Sequence, residues 1–117
     1  MKTKNRQIGR EGEEAAAGYL GHEGYKIIKR NYFTKFGEID IVCSDREITV
    51  FVEVKAKNGK LYGTPEEMFT RGKYNKVKRM AQLYLSGKEI LCRIDMVAVE
   101  LVAGELPQIR HYKNVVF

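Results

Sequence analysis

Several features that define other classes of protein are missing from this sequence of 117 residues. It has only two cysteines, Cys43 and Cys92, far apart and without the CxxC spacing or nearby histidine that a zinc site or a redox pair would need. Both lie in apolar, strand-like stretches, so we expect two buried thiols. The sequence contains no repeat, linker or low-complexity segment, and its length suits one core that folds without disulfides. We therefore expect a single domain over residues 1–117.

Long apolar segments are missing as well. No stretch approaches the roughly 20 apolar residues that a membrane-spanning helix needs. The first six residues include three bases and no acid, but no apolar signal core follows them. We therefore expect a cytoplasmic protein that has no membrane partner.

Acidic residues are outnumbered by basic ones. The chain has 21 Lys plus Arg against 15 Asp plus Glu, a net charge of +6, which suits a partner that carries phosphates. Residues 71–79 contain five bases, one tyrosine and no acid. We predict that this run binds nucleic acid through Arg71, Lys73, Tyr74, Lys76 and Arg79. A solvated surface with scattered charges is the alternative interpretation of the run.

Hydrophobic periodicity predicts the order helix, three strands, helix, two strands, which is an α/β domain with one mixed sheet flanked by helices. The predicted helices cover residues 5–20 and about 64–86, and the predicted strands cover 25–32, 38–43, 48–57, 91–101 and 109–117. The second helix begins with a capping pattern at Thr64-Pro65-Glu66-Glu67 and is predicted to be interrupted near Arg71. Gly12 lies in the middle of the apolar face of the first helix, which predicts close contact between helix and sheet.

Charged residues occur where the sequence predicts the buried centre of the sheet. The apolar run of residues 48–54 includes Glu53, and Lys55 follows directly after it. Burying an ionised group costs several kcal/mol unless a partner compensates it. A second carboxylate, Asp40, is predicted on the preceding strand. Two carboxylates and a lysine are what a magnesium-dependent phosphodiester hydrolase needs, since the acids bind the metal and the lysine supplies positive charge beside the scissile phosphate.

The register of the predicted hairpin decides whether these groups meet. Residues that face each other across an antiparallel pair share one face of the sheet. An even-length loop therefore places two sets on one face: Glu38, Asp40 and Val42 from one strand, and Phe51, Glu53 and Lys55 from the next. Glu11 and Glu13 flank the apolar face of the first helix on opposite sides, and periodicity does not choose which of them reaches the site.

Four motifs together resemble the YraN-like family of small bacterial proteins, and the resemblance extends from Gly9 to Phe117. The motifs are Gly37-Glu38-Ile39-Asp40, Phe51-Val52-Glu53-Val54-Lys55, Tyr62-Gly63-Thr64-Pro65-Glu66-Glu67 and Arg93-Ile94-Asp95-Met96-Val97. That family is identified as a member of the PD-(D/E)xK, or restriction-endonuclease-like, superfamily, and its layout is similar to that of archaeal Holliday junction resolvases. The resemblance implies a restriction-endonuclease-like core, with one mixed five-stranded sheet flanked by helices, and nuclease machinery.

The resemblance also implies roles for particular residues. Asp40 and Glu53 would hold Mg²⁺ or Mn²⁺, the backbone carbonyl of Val54 would add a ligand, and Lys55 would be the catalytic lysine. The pattern Gly-x-x-x-Glu, here Gly9 to Glu13, is similar to the resolvase helix whose glutamate completes the site. It therefore selects Glu13 over Glu11.

Three further residues match the family without a clear role. Lys73 matches a lysine typical of the second helix. Arg93 and Asp95 match an arginine-aromatic-aspartate strand in which Ile94 replaces the aromatic residue, and we interpret Asp95 as a structural or supporting residue.

Three functions compete at this point. The leading hypothesis is a metal-dependent endonuclease that acts on nucleic acid, with structured or branched DNA as the expected substrate. The second is a nucleic-acid-binding module that keeps the nuclease fold but cleaves poorly or only within a complex. The third is a basic interaction domain, which leaves the buried charges unexplained. The resolvase-like layout also favours a homodimer.

Overall fold

The computed structural model describes residues 2–59 and 63–117, with side chains from residue 6 onward in the first range. Two α-helices and five strands follow the predicted order: α1 Lys2–His22, β1 Lys26–Thr34, β2 Gly37–Asp45, β3 Ile48–Asn58, α2 Arg71–Leu85, β4 Cys92–Leu101 and β5 Gln108–Tyr112. A short 3₁₀ helix, Pro65–Met68, precedes α2. Within the described ranges, no helix has both the length and the apolar character needed to cross a membrane.

The five strands form one mixed sheet in the order β1-β2-β3-β4-β5. Strands β3 and β4 are parallel, and the other neighbours are antiparallel. Because parallel neighbours need a long crossover, the 3₁₀ helix and α2 connect β3 to β4 across one face. The central place of β3 explains its nearly continuous apolar sequence. The mixed sheet between two helices confirms the predicted α/β fold with a restriction-endonuclease-like core.

The two helices cover opposite faces of the sheet. On the α1 face, Ala16 and Leu20 belong to a core cluster with Ile41, Val52 and Val97. On the α2 face, the cluster consists of residues from α2, the sheet and the segment before α2, among them Val77, Met80, Phe51, Ile94 and Phe69. Gly12 lies against β3, where an added Cβ would overlap the Cβ of Ala56, so the predicted close contact is confirmed.

The capping pattern before α2 is present but starts a different element from the one predicted. The Glu67 carboxylate accepts hydrogen bonds from the Thr64 backbone nitrogen and hydroxyl, both at 3.2 Å, and the chain then forms the 3₁₀ helix. The predicted interruption is real, because α2 begins at Arg71 with Thr70 as its cap. The Thr70 hydroxyl accepts a hydrogen bond from the Lys73 backbone nitrogen at 3.3 Å.

Two predictions are wrong: the end of the last strand and the burial of Cys92. The last strand ends at Tyr112, and the chain beyond it folds back so that the Val115 nitrogen donates to the Ile94 carbonyl at 2.8 Å. Cys43 is buried, which raises the pKa of its thiol to about 12, but Cys92 at the start of β4 is exposed. Apolar neighbours in sequence do not ensure burial at the end of a strand.

Candidate active site

A tight hairpin between β2 and β3 sets the register of the site. Asp45 pairs with Ile48, so the loop has two residues, an even number as the predicted convergence requires. Val42 pairs with Phe51, and both belong to the core cluster on the α2 face. Loop length thus confirms the face expected for these two residues.

The strands separate where Asp40 is reached. Backbone pairing between β2 and β3 runs from the hairpin to the pair Ile41 and Val52. At the next position the backbone pairing stops, and the Asp40 side chain bonds to β3 instead. Its Oδ2 accepts a hydrogen bond from the Val54 nitrogen at 2.8 Å. The carboxyl group is therefore held between the two strands, beside Glu53, to which it is hydrogen-bonded.

Side-chain alternation breaks at the same place. Ile39 packs with Val42 on the α2 face, whereas Ile41 packs on the α1 face. A regular strand would place residues 39 and 41 on one face. Because of this break, Glu38 lies beside Glu13 of α1, and the prediction that Glu38 shares a face with Glu53 is wrong.

Asn31 of β1 holds the carboxylates of α1 and β2 together. Its backbone has a φ of +54°, a left-handed conformation that asparagine tolerates better than most residues. With its nitrogen turned toward the acids, the Asn31 amide lies 2.9 Å from Oε1 of Glu13 and 3.0 Å from Oε1 of Glu38. Carboxylate oxygens of Glu13, Glu38 and Asp40 all lie within 4.8 Å of one another. We call these three residues the acidic cluster.

The structure separates the two candidate glutamates of α1. Glu13 is half-buried, and burial together with the charge of Glu38 raises its pKa. Glu11 is exposed and accepts a hydrogen bond from Gln7 at 3.1 Å. The resemblance and the geometry thus indicate the same residue, Glu13.

Asp40 has the most perturbed carboxyl group of the site. Burial and the charge of Glu53 raise its pKa to about 9, while the hydrogen bond from the Val54 nitrogen opposes this shift. Two buried carboxyl groups in contact do not both ionise readily. A cation bound between the two groups would remove the electrostatic cost of ionising both.

Positive charge lies on the other side of Glu53. The Lys55 ammonium is 3.2 Å from Oε2 of Glu53, and both side chains are largely buried. Lys73 of α2 lies near enough to Lys55 for the Lys55 ammonium to lower the pKa of Lys73. Two neighbouring ammonium groups repel each other, and an anion such as phosphate between them would relieve that repulsion.

A line of bases extends from this lysine pair along α2. Lys73, Lys76 and Arg79 are exposed and follow one another at three-residue spacing, so each lies beside the next in a slanted row on the helix surface. The Arg79 guanidinium lies 5.0 Å from the ring centre of Phe36, at the tip of the β1–β2 hairpin. We call these three bases the basic stripe. Arg71 is exposed too, but helical spacing places it on the side of the helix away from Lys73 and Lys76.

Tyr74 does not belong to this surface, so its predicted role in nucleic-acid binding is wrong. The residue is 8% exposed and packs in the core on the α2 face. Its ring stacks on Phe117 with 5.1 Å between ring centres and lies at a tilt to Phe69. Spacing on the helix explains the difference, because Tyr74 shares the inner face with Val77 and Ala81.

Arg93 and Asp95 form a buried network under the C-terminal half of α1. Asp95 is fully buried and accepts hydrogen bonds from Arg93 Nε at 2.9 Å and from the Asn114 backbone nitrogen at 3.0 Å. His111 Nε2 lies 2.7 Å from Asp95, and Arg93 also donates to Asp45 and Tyr25. These contacts tie β2, β4 and the C-terminal segment together, as the structural interpretation of Asp95 predicts.

Sequence reasoning missed Asn31 as a member of the site. Asparagine is disfavoured inside strands, so its presence within a β-rich run is a signal that could have marked the irregular backbone at this position. A cleft of about 410 Å³ borders Lys55, lined by Ile8, Gly9, Val54, Lys55, Ala56, Lys57, Asn58 and Met68.

Tyr62, part of a family motif, lies outside the described residues.

Comparison with known proteins identifies the family. The profile of the uncharacterised protein family UPF0102 matches residues 12–99. A UPF0102 protein of Pelotomaculum thermopropionicum is 38% identical over 97% of this chain and 98% of its own length. Others from Symbiobacterium thermophilum and Clostridium botulinum are 46% and 44% identical, covering 82% and 86% of this chain and 84% and 85% of their own lengths. The chain therefore belongs to the UPF0102 family, the YraN-like family that its motifs resemble.

Proposed function

We propose that the chain is a metal-dependent endonuclease that hydrolyses phosphodiester bonds in structured or branched DNA. One observation carries the proposal: Asp40, Glu53 and Lys55 meet at the point where β2 and β3 separate, although buried charges are costly. A perturbed carboxyl pair beside an anion-binding lysine pair is the arrangement expected of a catalytic site.

The donor set fits a hard divalent cation such as Mg²⁺ or Mn²⁺. Its members offer oxygen atoms only, and the acidic cluster already brings three carboxylates within 4.8 Å. Asp40, Glu53 and the carbonyl of Val54 would hold the ion, with Glu13 on the α1 side. When bound, the ion would supply positive charge at the phosphate and activate water as the nucleophile.

The basic side chains would stabilise the charge of the phosphate and bind the DNA backbone. Lys55 is held by Glu53, so its ammonium is fixed beside the carboxyl pair and can stabilise charge that develops on the phosphate. Lys73 places a second positive charge there, and the rest of the basic stripe can neutralise neighbouring phosphates. Phosphate contacts of this kind orient the DNA but read little of its sequence.

A cleavage assay tests the proposal. Labelled linear, flapped and four-way-junction DNA is incubated with Mg²⁺ or Mn²⁺ and with wild type, Asp40→Asn or Asp45→Asn. Asp45 lies on the same strand but binds Arg93, so its variant is a matched control for the loss of one carboxylate. We expect cleavage by the wild type and the control, and a loss of roughly 100-fold or more for Asp40→Asn, as for other lost contacts to a reacting group.

Two results would overturn the enzyme assignment. Equal cleavage by wild type and Asp40→Asn would mean that a contaminant or another site cuts the DNA. Tight binding of junctions by the wild type without any cleavage would instead support a nucleic-acid-binding module that retains the nuclease fold.

A further inference from the structure

The tip of the β1–β2 hairpin carries two exposed aromatic rings with different surroundings. Phe36 is 46% exposed, and cations cover its ring: the Lys35 ammonium at 5.2 Å and the Arg79 guanidinium at 5.0 Å. Phe33 is 68% exposed and belongs to neither core cluster of the described residues. Single exposed apolar residues are common, so exposure alone gives Phe33 no function.

The position of Phe33 is what distinguishes it. Phe33 pairs with Glu38 across the β1–β2 ladder, so the two side chains leave the same face of the hairpin with Cβ atoms about 5 Å apart. Glu38 belongs to the acidic cluster with Glu13 and Asp40. The free ring therefore lies at the rim of the site that would hold the metal and the scissile phosphate.

The charges around the hairpin favour a nucleic acid over a protein as its occupant. The basic stripe leads from Lys55 to the hairpin tip on the α2 side, whereas Phe33 and Glu38 leave the hairpin on the α1 side, and Asp40 lies between the two sides. The outer members of the stripe, Lys73 and Arg79, are about 9 Å apart along the helix axis. That distance suits a nucleic-acid backbone that enters the site from the tip. A protein interface would instead have a core depleted of charge around its aromatic residue.

We propose that Phe33 stacks on an unpaired base beside the scissile phosphate and so makes the protein select DNA that is flapped, branched or single-stranded at the cut. The proposal rests on the proposed function, since it places the base relative to that site. A base inside a duplex is covered by its neighbours, whereas an unpaired base offers a free face to an aromatic ring. Because every base has such a face, selection follows DNA structure and not sequence.

The test measures binding with Ca²⁺ in place of Mg²⁺, so that it does not depend on cleavage. The probes are a blunt duplex and a flapped duplex of the same length with 2-aminopurine as the first unpaired base. Wild type is compared with Phe33→Ala, with Phe33→Trp as the conservative replacement, and with Ile28→Ala. Ile28 is another exposed apolar residue of β1, 45% exposed, and is therefore the matched control.

We expect wild type to prefer the flapped duplex and to quench the fluorescence of 2-aminopurine. Phe33→Ala should lose about 5- to 100-fold of that preference and the quenching, the range for one base stacked on an aromatic ring. Phe33→Trp should restore both, and Ile28→Ala should behave as wild type. Since Phe33 lies outside the core, thermal unfolding should be unchanged.

Unchanged preference and quenching in Phe33→Ala would overturn the proposal. It would also be overturned if Phe33→Ala and Ile28→Ala both convert a dimer to a monomer in light scattering, because β1 would then be a contact between two copies of the chain. The proposed function fails separately: Asp40→Asn would then cleave as wild type does, whatever the fluorescence of the Phe33 variants shows.

Discussion

Replacing Asp40 with Asn should stabilise the protein in the absence of metal, although it should remove the proposed activity. Burial and the charge of Glu53 raise the pKa of Asp40 from 3.8 to about 9. At neutral pH the folded chain must therefore keep a proton that the unfolded chain releases. Asn needs no proton, can still accept the hydrogen bond from the Val54 nitrogen, and can donate to Glu53.

The sign and size of the effect follow from proton linkage. Below pH 3.8 both states hold the proton, so Asp40 imposes no penalty. Between pH 3.8 and about 9 only the folded state holds it, so the free energy of unfolding falls by about 1.4 kcal/mol for each pH unit, and above that range the penalty is constant. At pH 7 the penalty is roughly 4 kcal/mol as an upper limit, and we expect Asp40→Asn to recover about 1–4 kcal/mol of it.

Urea unfolding at pH 5, 6, 7 and 8 in the presence of a chelator measures the difference in the free energy of unfolding between Asp40→Asn and wild type. This gain in stability should grow with pH. In thermal unfolding at pH 7 it should raise the melting temperature by about 4 °C for each kcal/mol. Asp45→Asn is again the control and should have the opposite effect, because it removes a partner of Arg93 at 3.1 Å. A gain that does not depend on pH, or a loss of stability in Asp40→Asn, would refute the claim that Asp40 is protonated in the folded protein.

Three further predictions concern metal, nucleic acid and packing. Calorimetry in two buffers with different ionisation enthalpies should show that Mg²⁺ or Mn²⁺ releases about one proton on binding at pH 7, since Asp40 must ionise to bind metal; no binding, or equal binding by an Asp40→Asn/Glu53→Gln variant, would contradict this. Replacing the basic stripe with alanine should weaken DNA binding similarly across sequences and flatten its salt dependence, while Lys55→Ala should spare binding and abolish cleavage. The control removes three bases outside the stripe, Arg71, Lys78 and Lys88; equal effects of both triple variants would mean that only net charge matters. Gly12→Ala should cost about 1–3 kcal/mol of stability because its Cβ would overlap Ala56, whereas Gly18→Ala, with open space around it, should be neutral or stabilising; equal stability of both variants in urea would exclude close packing at Gly12.

Local patterns in the sequence were enough to predict the elements of the fold. Helical periodicity located both helices, and the apolar run around Glu53 identified the central strand, because a strand covered on both faces has little polar surface. Gly12 predicted close contact between α1 and the sheet for a similar local reason. Ends of elements were less well predicted: apolar residues after Tyr112 leave the sheet and fold back onto β4.

The site was only partly predictable, because its geometry depends on contacts between distant segments of the chain. Loop parity brought Asp40 toward Glu53, but a rule of alternation cannot foresee where alternation stops, so it misplaced Glu38. Beside this break, Asn31 of a neighbouring strand contacts Glu13 of a helix and Glu38, and these groups meet only after the sheet is assembled. Tyr74 shows the same limit, since a base-rich run does not reveal which of its members faces the core.

The sequence by itself determined the order of the elements, the excess of positive charge and the acidic and basic residues from which the proposed site is drawn, because these depend on composition and short-range periodicity. Only the tertiary structure decided which charges share a site. It separates β2 from β3 at Asp40, joins Glu13 and Glu38 through Asn31, and brings Lys73 of α2 against Lys55. The pKa of Asp40 depends on such contacts, because burial and the distance to another charge exist only once distant segments of the chain have packed together.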